Sequence, residues 1–434
     1  MSSGRSNIVM VTFDSLRGDH CGFLSDDHGL TPTMDALADE GVSFTNAIAP
    51  GPQTFSSMPT VFTGRPRPPT TLERYPQDSH WERRLAAIGE HLRRYPSLPE
   101  RLNELGYDTA GVSPNPWTSG ASGFDRGFEY FLDLSDGANE GWSHTLAERL
   151  PGIDADSRPV ALVLNMLSGS EFFCQWETFY DRILRIREGL SEPYFLWIFA
   201  LDTHFPFITS RTHRQEQSLF GAYSSAYRSS EPMRGNRAEM SESVRESVKR
   251  SYRDTVRASD AFIDQLRSDF DADDPVLIVH SDHGESFGEH GNYGHHHRQV
   301  YEENIHVPYF IHNASTNKDV GAPTSLATVY DATLAIARDG FSDIDFADDT
   351  YAIAASECGR ERTVRGSRFK YIKQRDGRLL FDLECDPDER TDLSDERPDL
   401  CRELQRKLDR RDRHLSETNR LHRATREIAS FGTL

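Results

Sequence analysis

The chain has 434 residues, enough for one large α/β unit with a smaller appendage. Its net charge of −20, with Lys249, Lys318, Lys370, Lys373 and Lys407 as the only lysines, disfavours sequence-independent nucleic-acid binding and fits an acidic surface adapted to high salt, the halophile pattern. Cys21, Cys174, Cys358, Cys385 and Cys401 are far apart and contain no CxxC pair, which argues against a disulfide framework and a thiolate metal site.

In chain order, the N-terminal Met-Ser-Ser-Gly-Arg-Ser carries no apolar h-region, so a cytoplasmic protein is expected. Ile8 to Phe13 is a continuous apolar, β-branched run, the pattern of a strand buried on both faces, and it ends at Asp14. Thr31-Pro32-Thr33 opens a helix through Met34, Leu37 and Ala38 that Gly41 closes, and Val42 to Ala47 reads as the next strand. Leu98 to Leu105 is a helix stopped at Gly106, followed by a strand over Tyr107 to Val112. Tyr194 to Leu201 is a strand that ends at Asp202. As the longest apolar run it is far too short for a membrane span of about 20 residues. Val244, Val248, Tyr252, Val256, Ile263 and Leu266 recur at helical spacing, and Val276 to His280 is a strand ending at Ser281-Asp282-His283.

This alternation predicts a large, mainly parallel sheet flanked by helices over residues 1–350. Less regular insertions at about 138–190 and 209–243 would wall the site. Beyond them, Arg362 to Arg365, Phe369 to Ile372 and Leu379 to Asp382 read as a small meander and Pro398 to Asp409 as a helix. Together they give a small C-terminal α+β subdomain over 351–418, with 419–434 as a loosely held tail.

Three of the strands end at an acidic residue or an Asp-His pair, and ligands of open α/β sheets bind outside the carboxyl ends of strands. Ser281-Asp282-His283-Gly284-Glu285, running on to Gly288-Glu289-His290-Gly291 and His295-His296-His297, can offer a carboxylate oxygen and an imidazole nitrogen to one cation. A Gly/His-rich surface loop would have the same composition. Asp14 and Asp19 could each be no more than a turn or capping residue.

Asp14-Ser-Leu-Arg-Gly-Asp-His20, Thr31 to Ala38 and Gly41 to Ala47 resemble the N-terminal signature of the sulfatase family, in the alkaline phosphatase superfamily. Thr63-Gly64, Ser281 to Glu285 with Gly288 to Gly291, Tyr301-Glu302-Glu303, Val307-Pro308, Arg368 to Ile372 and Phe381 to Arg390 are similar to its later blocks, in order. The resemblance implies that Asp14, Asp282 and His283 ligate one divalent cation (Ca, Mn, Mg or Zn), and that the nucleophile is the residue ten before Gly64, which is Thr54. It further implies that His204 and His295 stabilise the anionic group and that Asn115 lies near the substrate. His290 is either a substrate-side acid or a structural loop residue. Asp202, His204 and His290 are the side chains that a two-cation relative would use.

Thr54 departs from the family pattern. Formylglycine sulfatases carry Cys or Ser in Cys/Ser-x-Pro-x-Arg, whereas the corresponding positions here are Thr54, Ser56 and Met58. A secondary alcohol does not oxidise to an aldehyde, so the sequence implies a formylglycine-free hydrolase of sulfate or phosphate esters acting through a covalent Thr54 intermediate. Ser56 and Ser57 are competing hydroxyls. The substrate expected from family habit is a small-molecule or glycan ester. The alternatives are a phospho-group transferase to a glycan or lipid acceptor and a non-catalytic binder of anionic glycans. Oligomeric state is not readable from the sequence.

Overall fold

The computed structural model describes residues 5–25, 29–70, 76, 79–135, 175–235, 239–295, 299–314, 316–339 and 351–431. Most of the first expected insertion, and His296 and His297, lie outside these residues.

The first elements are β1 (Ile8–Phe13), α1 (Pro32–Asp39), β2 (Val42–Phe44), β3 (Ala47–Ile48), α2 (Thr54–Thr63), α3 (His80–Arg94), α4 (Leu98–Glu104), β4 (Asp108–Ser113) and β5 (Tyr130–Asp133). There follow α5 (Trp176–Gly189), β6 (Tyr194–Ala200), α6 (Leu219–Met233), α7 (Glu242–Asp269), β7 (Val276–Ser281), α8 (Glu302–Ile305), β8 (Tyr309–His312), β9 (Lys318–Val320), β10 (Thr324–Ser325) and α9 (Thr328–Asp339). The C-terminal elements are β11 (Tyr351–Ala355), β12 (Arg362–Gly366), β13 (Phe369–Lys373), β14 (Arg378–Asp382) and α10 (Pro398–Phe431).

Eight strands form one sheet in the order β5-β4-β6-β1-β7-β8-β2-β9. All its pairs are parallel except the two made by β8. Alternation along the central strands sorts their side chains to two cores. Ile8, Met10, Trp197 and Ile278 pack with α2, α3, α4 and α9, while Val9, Val11, Ile198 and Val279 pack with α1, α5 and α7. Burial on both faces explains why β1, β6 and β7 read as unbroken apolar runs. The single strand expected over Val42 to Ala47 is two, because β3 leaves the main sheet to pair with β10. Among the described residues no helix is long and apolar enough to cross a membrane.

The expected meander is a four-stranded antiparallel sheet, β11 to β14, packed on α10 through Val364, Tyr371, Leu380, Cys401, Leu404 and Leu408. The helix expected to stop at Asp409 continues to Phe431, through the stretch read as a tail. Its polar outer turns hid its length in the sequence.

This sheet is joined to the main unit by a buried charge cluster. Lys370 Nζ, fully buried, lies 2.9 Å from both Glu302 and Glu389, and Arg365 reaches Glu302 at 3.4 Å. Burial alone would raise the Glu302 carboxyl, but Lys370 and Arg365 pull it down to about 2, while burial pushes Glu389 up to about 7. Lys370→Met should cost about 3–5 kcal/mol in chemical denaturation, because it strands two buried carboxylates. A loss under 1 kcal/mol would contradict this role.

Candidate active site

The order β6-β1-β7 brings three strand ends side by side. Phe13 is in register with both Ala200 and Ser281, and the ladder continues past the strands as Asp14 N donates to Ala200 O (2.9 Å) and Asp282 N to Phe13 O (3.0 Å). Asp14 and Asp282 are therefore neighbours at the carboxyl edge of the sheet, and both are fully buried, as is His283.

The turn after β1 ties the two carboxylates together. Ser15 N donates to Asp282 Oδ1 (3.1 Å) and Ser15 Oγ to Asp14 Oδ1 (2.9 Å). Ser15 does this with φ 64°, a left-handed conformation that is uncommon for a non-glycine residue. Tyr252 of α7 holds the turn, its hydroxyl donating to Ser15 O (2.8 Å) and accepting from Arg17 N (2.9 Å). Tyr252→Phe removes both bonds in a fully buried place. We expect a loss of about 1–3 kcal/mol in stability together with a fall in kcat. Wild-type values of both would show that the turn holds itself.

Thr54 is the first residue of α2, after Gln53 in extended conformation. At the far end Gly64 closes the helix at φ 63°, its N–H donating to Thr60 O. Thr54 Oγ1 lies 3.5 Å from Asp14 Oδ2, 3.4 Å from His283 Nε2 and 3.4 Å from Asn115 Nδ2. Asn115 Nδ2 also donates to Asp14 Oδ2 at 2.7 Å, and Trp117 N donates to Asn115 Oδ1 (2.8 Å), which fixes the amide's orientation. Ser56 Oγ instead donates back to Gln53 O (2.8 Å), so Thr54 is the hydroxyl that the fold brings to the carboxylates.

Asp14, Asp282 and His283 present ligand atoms within 4.8 Å of one another, and among the described residues no other such group forms. His283 Nδ1 contacts the Gly284 carbonyl at 2.8 Å and so donates to it, which leaves the Nε2 lone pair toward the carboxylates at 3.5–3.6 Å. Burial pushes His283 down to about 3, aided by repulsion from His295, so the imidazole is neutral as a metal ligand must be. Burial and the charge of Asp14 hold the Asp282 carboxyl well above its usual range. Burial alone would raise Asp14, but it is lowered by the neighbouring histidines, His204 and His295 among them. Asp282 Oδ2 has no hydrogen-bond partner. A buried orphan oxygen in a paired carboxylate cluster with a neutral imidazole fits a hard or borderline divalent cation.

His204 and His295 stand beside this group. Their ring centroids are 5.2 Å apart, and that of His295 is 4.8 Å from His283. His204 Nδ1 donates to Phe205 O (2.7 Å). His295 Nδ1 pairs with the buried Glu285 at 3.2 Å, and although burial opposes it, Glu285 raises the His295 pKa, favouring a cationic imidazole. The sequence motif contained Glu285 without showing its role, and Tyr252 looked like one more residue of an apolar stripe.

His290, open in the sequence between a substrate-side acid and a structural loop residue, is bonded through both ring nitrogens, to Glu303 at 3.1 Å and to the Glu389 carbonyl at 3.2 Å, and it stacks on Tyr301 with centroids 3.7 Å apart. It joins the metal-side loop to the C-terminal sheet. Neither it nor Asp202 or His204 enters the converging group of ligand atoms found among the described residues.

A family model described as Sulfatase matches residues 6–338. The chain belongs to the sulfatase family. A phosphonate monoester hydrolase of Agrobacterium radiobacter superposes on this sulfatase-family chain with a TM-score of 0.65 at 18% identity, covering 93% of this chain and 95% of the other. A 2-O GAG sulfatase gives a TM-score of 0.63 at 17% identity, covering 93% and 91%. A third relative, whose structure holds its substrate D-glucosamine-2-N,6-O-disulfate, gives 0.62 at 17%, covering 94% and 98%. These confirm the alkaline phosphatase-like fold. An ulvan-active sulfatase of Formosa agariphila is 38% identical over 61 residues, which is 14% of this chain and 12% of that relative's length.

Proposed function

We propose that this sulfatase-family protein is a metal-dependent hydrolase that cleaves sulfate or phosphorus esters through a covalent Thr54 ester, without formylglycine. The observation that carries the reading is the position of Thr54 Oγ1, at a helix N-terminus and within 3.5 Å of Asp14, His283 and Asn115. Asp14, Asp282 and His283 would hold a divalent cation, which would supply Lewis acidity to a nearby hydroxyl and to the ester oxygens.

The residues supply the rest. The helix N-terminus favours negative charge at Thr54, and Asn115 donates toward the same oxygen. As Thr54 Oγ gives up its proton and bonds to sulfur or phosphorus, the bond to the leaving oxygen breaks, and that oxygen takes up one proton by way of solvent and leaves as an alcohol, so no net proton is gained or lost. His204 and a protonated His295 stabilise the non-bridging oxygens. Water then attacks the Thr54 ester, releases the inorganic or organic acid and restores the hydroxyl.

A secondary alcohol gives no aldehyde hydrate, which tilts the reading toward phosphate or phosphonate esters. The likeness to a phosphonate monoester hydrolase agrees with that tilt, and the names of the other two structures support a glycan leaving group. The test is turnover of aryl sulfate, aryl phosphate, a phosphodiester and a phosphonate monoester, each with Ca, Mn, Mg or Zn. Highest kcat/KM is expected on a phosphorus ester. Strict sulfate-ester activity would overturn that preference, and no turnover on any of them would overturn the hydrolase reading.

A further inference from the structure

We propose that the recess between α2 and the C-terminal subdomain binds one free inorganic oxyanion, sulfate or phosphate. Ser56 and Thr60 of α2, Arg67 in the loop after it, Arg362 of β12 and Arg411 of α10 line this recess. It shares no residue with the Asp14, Asp282 and His283 group. The site stands whether or not Thr54 is a nucleophile, because its ligand is held by arginines that the hydrolysis does not use.

The charges at the recess do not balance. Arg84 holds the buried Glu357 by two bonds of 2.8 Å, one to each carboxylate oxygen. Arg362 pairs with Asp412. These two pairs use both carboxylates that line the recess and leave Arg67 and Arg411 over. Arg67 donates to Thr70 Oγ1 (2.6 Å), and neither it nor Arg411 makes an ion pair with a described residue. Burial outweighs the pull of Glu357 and lowers Arg67 to about 10, and it outweighs the pull of Asp412 and lowers Arg411 to about 10, so both stay cationic at neutral pH. Arg362 adds a buried Nε with no hydrogen-bond partner. Two surplus cations and an orphan donor in a half-buried place are unfavourable until a counter-charge joins them. The arrangement is the mirror image of the metal-side cluster, where paired carboxylates and an orphan oxygen call for a cation.

Size and donor geometry choose the ion. The cavity volume is about 30 Å³, and one water needs about 10–15 Å³, so there is room for a single small ion and none for a sugar or a nucleotide. Guanidinium forks present paired N–H donors that match two oxygens of a tetrahedral ion, a match that a halide does not offer. In a chain of net charge −20 a free anion is repelled at long range, so these contacts must supply the affinity. A bound ion also joins three pieces of chain. Ala355 N donates to Pro50 O (3.0 Å), so the end of β11 already rests on the loop that leads to Thr54, and the ion adds α10 and the loop of Arg67 to that contact.

The experiment is thermal denaturation with sulfate, phosphate or chloride added at constant ionic strength, the balance made up with gluconate, which is too large for the recess. A ligand that binds only the folded state raises Tm with its concentration, and that dependence gives its Kd. Sulfate and phosphate should each raise the Tm of the wild type, and chloride should not. Arg411→Gln should weaken oxyanion binding about tenfold. With no oxyanion present its Tm should equal or exceed that of the wild type, since it removes an unpaired cation. Arg67→Gln should lose the response in the same way and decides the matter if Arg411→Gln does not fold. His204→Ala, altered at the other place where an oxyanion can sit, should keep it. No rise in the wild type, an undiminished rise in the arginine variants, an equal rise with chloride, or loss of the rise in His204→Ala would each overturn the proposal.

Discussion

Thr54→Ala should lower kcat by about 10⁴- to 10⁶-fold on whichever ester the wild type hydrolyses best, the scale seen when a covalent nucleophile is removed. The methyl group left in its place keeps the helix start, since Gln53 and the backbone of α2 define it, so the variant should fold with wild-type stability to within about 1 kcal/mol. Rapid quench of the wild type followed by intact-mass analysis should show a phosphoryl or sulfuryl adduct on the peptide containing Thr54. Ser57→Ala is the internal control. Its hydroxyl is buried one helical step away without a hydrogen-bond partner, so its loss should change kcat by only a few fold. Wild-type turnover by Thr54→Ala, or an adduct that moves to Ser57, would reject the nucleophile assignment.

What the sequence revealed and what it hid follow from the same physics. Strands β1, β6 and β7 were legible because burial on both faces leaves them continuously apolar, and their abrupt ends at Asp14, Asp202 and Asp282 marked the edge where a ligand would sit. Strand order was not legible. Nothing in the residues says that β1 lies between β6 and β7, yet that adjacency makes Asp14 and Asp282 a pair. Asn115 reaches the pair because β4 lies beside β6, a neighbour relation spread over about ninety positions of sequence. Helix α2 was hidden by Thr54, Thr60, Val61 and Thr63, β-branched residues of modest helix propensity, and by Pro59 in its interior. His290 stayed open between two readings in its glycine-flanked motif, and only the fold shows that the left-handed turn at φ 53° brings its ring to Glu303 and the Glu389 carbonyl.

Asp282→Asn should abolish the stabilisation of the protein by divalent cation and, in chelator, leave a fold more stable than the metal-free wild type. The two halves have one cause. Asp282 Oδ1 is satisfied by Ser15 N and His283 N, an acceptor role that an amide oxygen can keep. Its Oδ2 is a buried orphan beside a second carboxylate, and that oxygen is the part the substitution changes. Because burial and Asp14 raise the folded-state pKa of Asp282 well above its unfolded value, folding without metal penalises its ionised form. The contribution of this group to stability is full below the unfolded value of about 4 and is lost as pH rises toward the folded value, so the gain in the variant should be large at pH 7 and vanish near pH 3.5. Replacing one member of a buried charged cluster by a neutral isostere of equal size is worth about 1–3 kcal/mol here. Cation at a hundredfold excess over its Kd should stabilise the wild type by about 2.7 kcal/mol and the variant not at all. Thermal denaturation of both proteins with cation and with chelator, at the two pH values, measures every part of this. A cation-dependent shift retained in Asp282→Asn would remove Asp282 from the ligand set. A metal-free variant less stable than the metal-free wild type at pH 7 would mean that the carboxylate pair is held by hydrogen bonds rather than waiting for a cation.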